Sequence, residues 1–352
     1  FGEAAGRDEA VTVDGGASSD KVVVHGSLAN DTITVARVQA TNTLVTVSPG
    51  GTDWKRIDLA ENSANSLTVA AGDGVDTINV SGTGGPALTV DGGAATNSQP
   101  GAADTVAVTL ATAGTTIISP GATPDAGFIE GPNDETAAAE LDDVNFVGIE
   151  FVTVTGAGAG ATVQVDGTHG NDSIAAANVN GGDRVWVNDR AVVTFANYAT
   201  LALNGRFGDD QFSVSPVDLS ATVTAITVIG GDPSSSDVLI VNGDTTPTAD
   251  EAIRFEPTAA DAGNVRIGPA TEPTITFSTT ESVIINGQGG NDDLTVISTA
   301  GEDTVTVTPG ATVDSGSVRV NSLVPMSFTN LGATGTLVID DSAGGNNDVL
   351  VY

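Results

Sequence analysis

The residues with the most chemical potential in this chain are acids set behind glycine-rich turns. Gly167 to Ala175 (GTHGNDSIA), Gly287 to Thr295 (GQGGNDDLT), Gly205 to Ser213 (GRFGDDQFS) and Ala71 to Asn79 (AGDGVDTIN) share one plan. Glycines come first, then a carboxylate, then an alternating strand. Such turns suit a hard cation. Ca²⁺ takes about six to eight oxygen ligands, and a glycine-rich turn exposes backbone carbonyls while aspartate adds charge. Glycine also lets the chain pass through φ > 0. The candidate Ca²⁺ ligands are Asp31, Asp172 and Asp303, which hold equivalent places in three copies, with Asp76, Asp210 and Asp348 in a second set. Asp20 and Asp292 lead two of those copies, where Ala161 stands in the third, and Gly167, Gly170, Gly287 and Gly290 shape the turns. A second reading needs no metal. An aspartate after such a turn caps it by accepting backbone N–H groups.

Other chemistries fare worse. Carboxylate pairs occur at Asp142-Asp143, Asp209-Asp210, Asp292-Asp293 and Asp340-Asp341. Neighbours on a strand point to opposite faces, so these are not the spaced pair that glycoside hydrolysis needs. The acids are spread through the repeats, so no enzyme is expected, and a polysaccharide-acting β-helix enzyme ranks third among the readings. His25 and His169 lack a third nitrogen or a thiol for zinc. Arg184, Arg190 and Arg206 read as local charge partners. Sequons at Asn30, Asn79 and Asn171 are weak signals.

Lys plus Arg number 11 against 45 Asp plus Glu, a net charge of -34. Nucleic acid and anionic membrane surfaces repel such a chain. There is no cysteine, so disulfides and thiolate sites are absent. No apolar run approaches the ~18 residues of a membrane-spanning helix. The chain opens on Phe1 with no leader, as expected of a processed or excised product.

The elements that must position these acids are short strands. Lys21-Val24, Thr32-Val35, Ser66-Val69, Thr77-Val80, Thr162-Val165 and Asp303-Val307 alternate at period two. Asn-Gly pairs at Asn180, Asn204, Asn242 and Asn286 predict turns with φ > 0. One helical turn or two is expected around Glu135–Leu141.

Val11 to Val35, Val152 to Ala176 and Val283 to Val307 align without a gap, and Leu67 to Val80 matches Leu201 to Val214 and Leu337 to Tyr352. Residues 11–151 and 152–282 are therefore two repeat units, 283–352 is a partial third, and 1–10 form an edge segment. Either the natural chain continues past the third unit or a partner caps it. Strand starts every 8–12 residues fit a parallel β-solenoid or a row of β-sandwiches. The Gly-Asp turns and scarce aromatic rings favour an all-β, elongated parallel β-solenoid, with Trp186 and Phe195 placed in less regular parts.

The turn sequences resemble degenerate copies of the RTX (haemolysin-type) nonapeptide, G-G-x-G-x-D-x-U-x, scattered rather than in tandem. In that family the repeat builds a β-roll whose turns bind Ca²⁺. The overall texture is similar to the large acidic repeat proteins of bacterial surfaces. The resemblance implies a non-catalytic extracellular or cell-surface protein stabilised by Ca²⁺, self-associating into a fibre or surface layer without membrane insertion. The alternative is a glycan- or surface-binding adhesin.

Overall fold

A computed structural model describes residues 10–13, 20–38, 42–49, 55–60, 66–82, 87–93, 103–132, 143–231, 236–246, 250–341 and 348–352. The helix expected at Glu135–Leu141 and most of the segment 1–10 lie outside them. Among the described residues there are β-strands and a 3-10 turn at Pro216–Asp218, and no α-helix. The chain forms two compact units, residues 1–163 with 189–198, and residues 164–188 with 199–352. The third sequence repeat, 283–352, belongs to the second unit.

In the first unit, two parallel sheets climb coil by coil. One is β2 (Lys21–His25), β6 (Ser66–Ala70), β8 (Ala87–Asp91) and β12 (Val144–Val147), with Val24, Val69, Val90 and Phe146 in one row. The other is β3 (Asp31–Val38), β7 (Thr77–Gly82), β9 (Thr105–Thr109) and the start of β13 (Phe151–Asp166), with Ile33, Ile78, Val106 and Val152 in a row. All eight of these side chains are buried. Period-two alternation sends one set of residues inward and its neighbours outward. In-register stacking then places like on like, and each fully buried aliphatic side chain contributes about 1.5–3 kcal/mol.

The second unit repeats the plan. β14 (Ser173–Val179), β17 (Gln211–Val214), β19 (Val238–Asn242), β23 (Ser282–Asn286) and β27 (Met326–Thr329) stack in parallel. Their inward row is Ile174, Phe212, Leu239, Val283 and Met326. The end of β16 (Val192–Asn204), β18 (Ala225–Ile229) and β22 (Thr274–Ser278) form a second parallel set. β20 (Ala252–Pro257), β24 (Asp293–Ile297) and β28 (Thr336–Asp340) form a third. β25 (Thr304–Pro309) pairs in parallel with β29 (Val349–Val351). The all-β solenoid expected from the sequence is what the strands form.

Antiparallel hairpins interrupt the coils, a feature the sequence did not announce. β4 (Asn42–Pro49) and β5 (Lys55–Ala60) fold back on β3, and β10 (Thr115–Pro120) leads through β11 (Gly127–Glu130) to β12. In the second unit β15 (Gly182–Val187) pairs with β14, β21 (Gly263–Ile267) lies between β20 and β22, and β26 (Gly316–Val320) lies between β25 and β27. Three of these hairpins use one device. Gly127, Gly263 and Gly316 sit opposite Phe146, Phe277 and Phe328, whose ring edges occupy the space a Cβ would take. The ring covers a glycine that packs nothing of its own.

Two expectations need correction. Only Asn180-Gly181 forms a φ > 0 hairpin turn, at 55° and 81°. Asn204, Asn242 and Asn286 instead end parallel strands, and the last two form a side-chain ladder in which Asn286 donates to Asn242 at 3.2 Å and Asn330 to Asn286 at 2.8 Å. Large rings are also not confined to irregular parts. Phe195, Tyr198, Phe212, Phe255 and Phe277 are buried, and Trp186 lies in β15.

Candidate metal centre and the buried acid ladder

Each acid that follows a turn sits just before or at the first residue of a strand, and the next coil places another acid beside it. In the first unit the N–H of Asp31 donates to Asp76 Oδ1 at 2.6 Å, that of Asp76 to Asp104 Oδ1 at 2.7 Å, and that of Asp104 to Glu150 Oε2 at 2.6 Å. In the second unit Asp172 donates to Asp210 at 2.8 Å, Asp210 to Asp237 at 2.7 Å, and Asp237 to Glu281 at 2.8 Å. Shorter runs join Glu251 to Asp292 at 3.0 Å and Asp303 to Asp348 at 2.7 Å. A carboxylate thus takes up a backbone N–H that the coil corner would otherwise leave unpaired.

The second carboxylate oxygen divides the turns into two kinds. At Asp31, Asp172 and Asp303 it accepts the N–H of Ser27, Thr168 and Thr299, at 2.5, 2.6 and 2.7 Å. The hydroxyls of those residues add further bonds at 3.1, 3.0 and 2.8 Å. Asn188 and Asn321, both at positive φ, donate their amides to Asp172 and Asp303. The three equivalent acids therefore have donors around both oxygens, as turn caps do.

At Asp76, Asp210 and Asp292 the residue four back is Gly72, Arg206 or Gln288, each at positive φ. Here Oδ2 is buried with no hydrogen-bond partner, and Glu251 Oε2 is in the same state. Burial then dominates the titration. Desolvation, only partly offset by the Asp172 N–H, pushes Asp210 up to about 7, with Asp172, Asp237 and Asp209 adding repulsion. Glu251 rises to about 7 and Asp104 to about 6, also chiefly by desolvation. Asp76, Asp237 and Asp292 move the same way.

The turn glycines make room for this arrangement. A Cβ at Gly167 would come within 2.7 Å of both Asp172 Oδ2 and the Gly205 carbonyl oxygen. One at Gly287 would collide with Asp292 Oδ2 and the Asn330 carbonyl. A Cβ at Gly170 would meet only Thr168 Oγ1, at 3.8 Å, and Gly290 is at φ +83°. Asp20 precedes β2, and its carbonyl accepts the Ser66 N–H at 3.3 Å.

One group departs from the ladder. Asp303, Asp341 and Asp348 bring carboxylate oxygens within 4.8 Å of one another. Ser298 Oγ donates to Asp341 Oδ1 at 2.8 Å. The Asp303 N–H lowers the pKa of Asp348, but hydrogen bonding to Asp341, desolvation and the two neighbouring charges outweigh it and leave it raised. Three hard oxygen donors with no cation among them fit Ca²⁺ or Mg²⁺. Asp303 and Asp348 were sequence candidates. Asp341 appeared there only in a carboxylate pair, because its convergence on Asp303 is a tertiary fact.

Elsewhere, Arg206 pairs with the buried Asp166 at 2.5 Å, and Arg190 lies 3.9 Å from Asp189. His169 stacks on Phe207 with centroids 5.3 Å apart. Fold and site define a β-solenoid whose coil corners are joined by an acid ladder. No family model, no curated protein and no solved structure matches the chain.

Proposed function

We propose that this is a non-catalytic, extracellular structural repeat protein, a β-solenoid of the cell surface whose work is mechanical, with Ca²⁺ held at Asp303, Asp341 and Asp348. The ladder carries this reading. Acids that an enzyme would gather in one place are distributed along the coils, and their oxygens hold one coil to the next. At Asp31 and Asp172 the donors already around the carboxylate favour a metal-free cap; Asp303 has the same donors, and what sets it apart is the approach of Asp341 and Asp348. The three-carboxylate group suits a cation better, because like charges there repel unless a positive charge joins them.

Ligand binding raises stability by mass action. Melting in millimolar Ca²⁺ should therefore exceed melting in chelator, and the Asp341→Asn and Asp348→Asn double variant should remove the difference. A chain whose melting ignores Ca²⁺ loses the metal claim. Polysaccharide cleavage by the purified chain would sink the non-catalytic one.

A further inference from the structure

The outer face of β3–β7–β9–β13 in the first unit carries no charge, in a chain with net charge -34. Its outward residues lie in register: Thr32, Thr77, Thr105 and Phe151 in one row; Thr34, Asn79, Ala107 and Thr153 in the next; Ala36, Ser81, Thr109 and Thr155 in the third. Thr32 and Thr109 are exposed, and the others are half-buried against one another. Among the described residues none of these side chains makes a hydrogen bond to protein.

High β-propensity alone would put some threonine on a strand surface. It does not account for the pattern, because the equivalent sheet of the second unit keeps the register without it. There Gln211, Ser213, Val238, Ile240, Ser282 and Ile284 take the outward places.

Strand spacing of about 4.8 Å and a two-residue repeat of roughly 6.6 Å set the array's lattice. The rows run on through Thr46 and Leu44 of β4 to the charged Arg56 and Asp58 of β5, and the four uncharged strands of the array cover about 300–350 Å² by the same dimensions. That is well below the ~800 Å² each partner gives to a stable protein interface. A single ring, Phe151 at one corner, offers little for sugar stacking. What the face presents instead is a threonine-rich surface, seven of its twelve outward places being Thr, whose methyl and hydroxyl groups the sheet holds in register. Methyls restrict first-shell water, and hydroxyls anchor it.

We propose that this face binds ice, ordering water on its in-register, threonine-rich rows until it matches the crystal surface. The proposal stands apart from the calcium reading. The test is partition of the purified chain into slowly grown ice, with ice-crystal shaping and recrystallisation read in parallel, in chelator and in Ca²⁺. The wild type should enter ice and shape it. Thr77→Lys and Thr105→Lys should each lose this with melting unchanged, and Thr77→Ser, which keeps the hydroxyl and removes the methyl, should weaken it. Gln211→Lys, at the matching place in the second unit, should behave as wild type. Exclusion of the wild type from ice overturns the proposal. So does retention of ice binding by both lysine variants, or selective binding to crystalline cellulose or chitin with none to ice.

Discussion

Asp210→Asn tests the ladder at its most strained point. Asp210 Oδ1 accepts the Asp172 N–H at 2.8 Å, and an amide oxygen can do the same. Its Oδ2 has no donor, and the Gly205 position lies between that oxygen and the Gly230 carbonyl oxygen. Two acceptors thus converge where an amide NH₂ would supply the missing donor. The folded pKa is about 7 against an ordinary 3.8. A raised folded pKa means the group's contribution is fully present below pH ~4 and is lost as pH climbs through about 7. At ~1.4 kcal/mol per unit the complete shift corresponds to ~4 kcal/mol. Water close to so thin a coil screens part of this, which leaves about 2 kcal/mol. At pH 8 in chelator the variant should therefore be more stable than wild type by about 2 kcal/mol, or roughly 4–8 °C in melting for a unit of this size. At pH 4, where Asp210 is itself neutral, the two should nearly coincide. Urea titrations at both pH values measure the gap. A variant less stable than wild type at pH 8, or a gap that is the same at both pH values, refutes the reasoning.

Other perturbations probe the same corners. Gly287→Ala places a methyl against Asp292 Oδ2 and the Asn330 carbonyl, and overpacking of this kind should cost about 1–3 kcal/mol in denaturant titration. Asp172→Ala strips acceptors from the Thr168 N–H and hydroxyl and from the Asn188 amide. Thr168 is half-buried and Asn188 exposed, so water recovers part of the lost bonding; the variant should be destabilised by about 1–3 kcal/mol, and hydrogen exchange at Thr168 should accelerate. Phe277→Ala uncovers Gly263 and removes the ring stacked 6.5 Å from Phe255; a loss of about 3–5 kcal/mol is expected by calorimetry or urea titration.

The sequence alone determined the strands, their inward and outward faces, and the equivalence of Asp31, Asp172 and Asp303. Those depend on period-two alternation and on local turn chemistry, both of which lie within a few residues. It could not determine which acids meet. The ladder joins residues 45, 28 and 46 apart in one unit and 38, 27 and 44 apart in the other. Hairpins of differing length are inserted into the coils, so no fixed period marks the partners. Glu150 ends its ladder after the lone Gly148 and Glu281 with no glycine turn before it, and Asn188 and Asn321 reach their aspartates from turns after β15 and β26. Hairpin and coil strands alternate alike in sequence, so only pairing separates β4 or β21 from the parallel stack. Above all, the sequence left each turn carboxylate open to either a cation or a backbone N–H. Tertiary structure surrounds Asp31, Asp172 and Asp303 with donors, leaves Asp76, Asp210 and Asp292 each with a bare oxygen, and brings Asp341 and Asp348 to Asp303. The physical reason is that a carboxylate's role depends on what faces it, and in a stacked coil what faces it comes from the next turn of the chain.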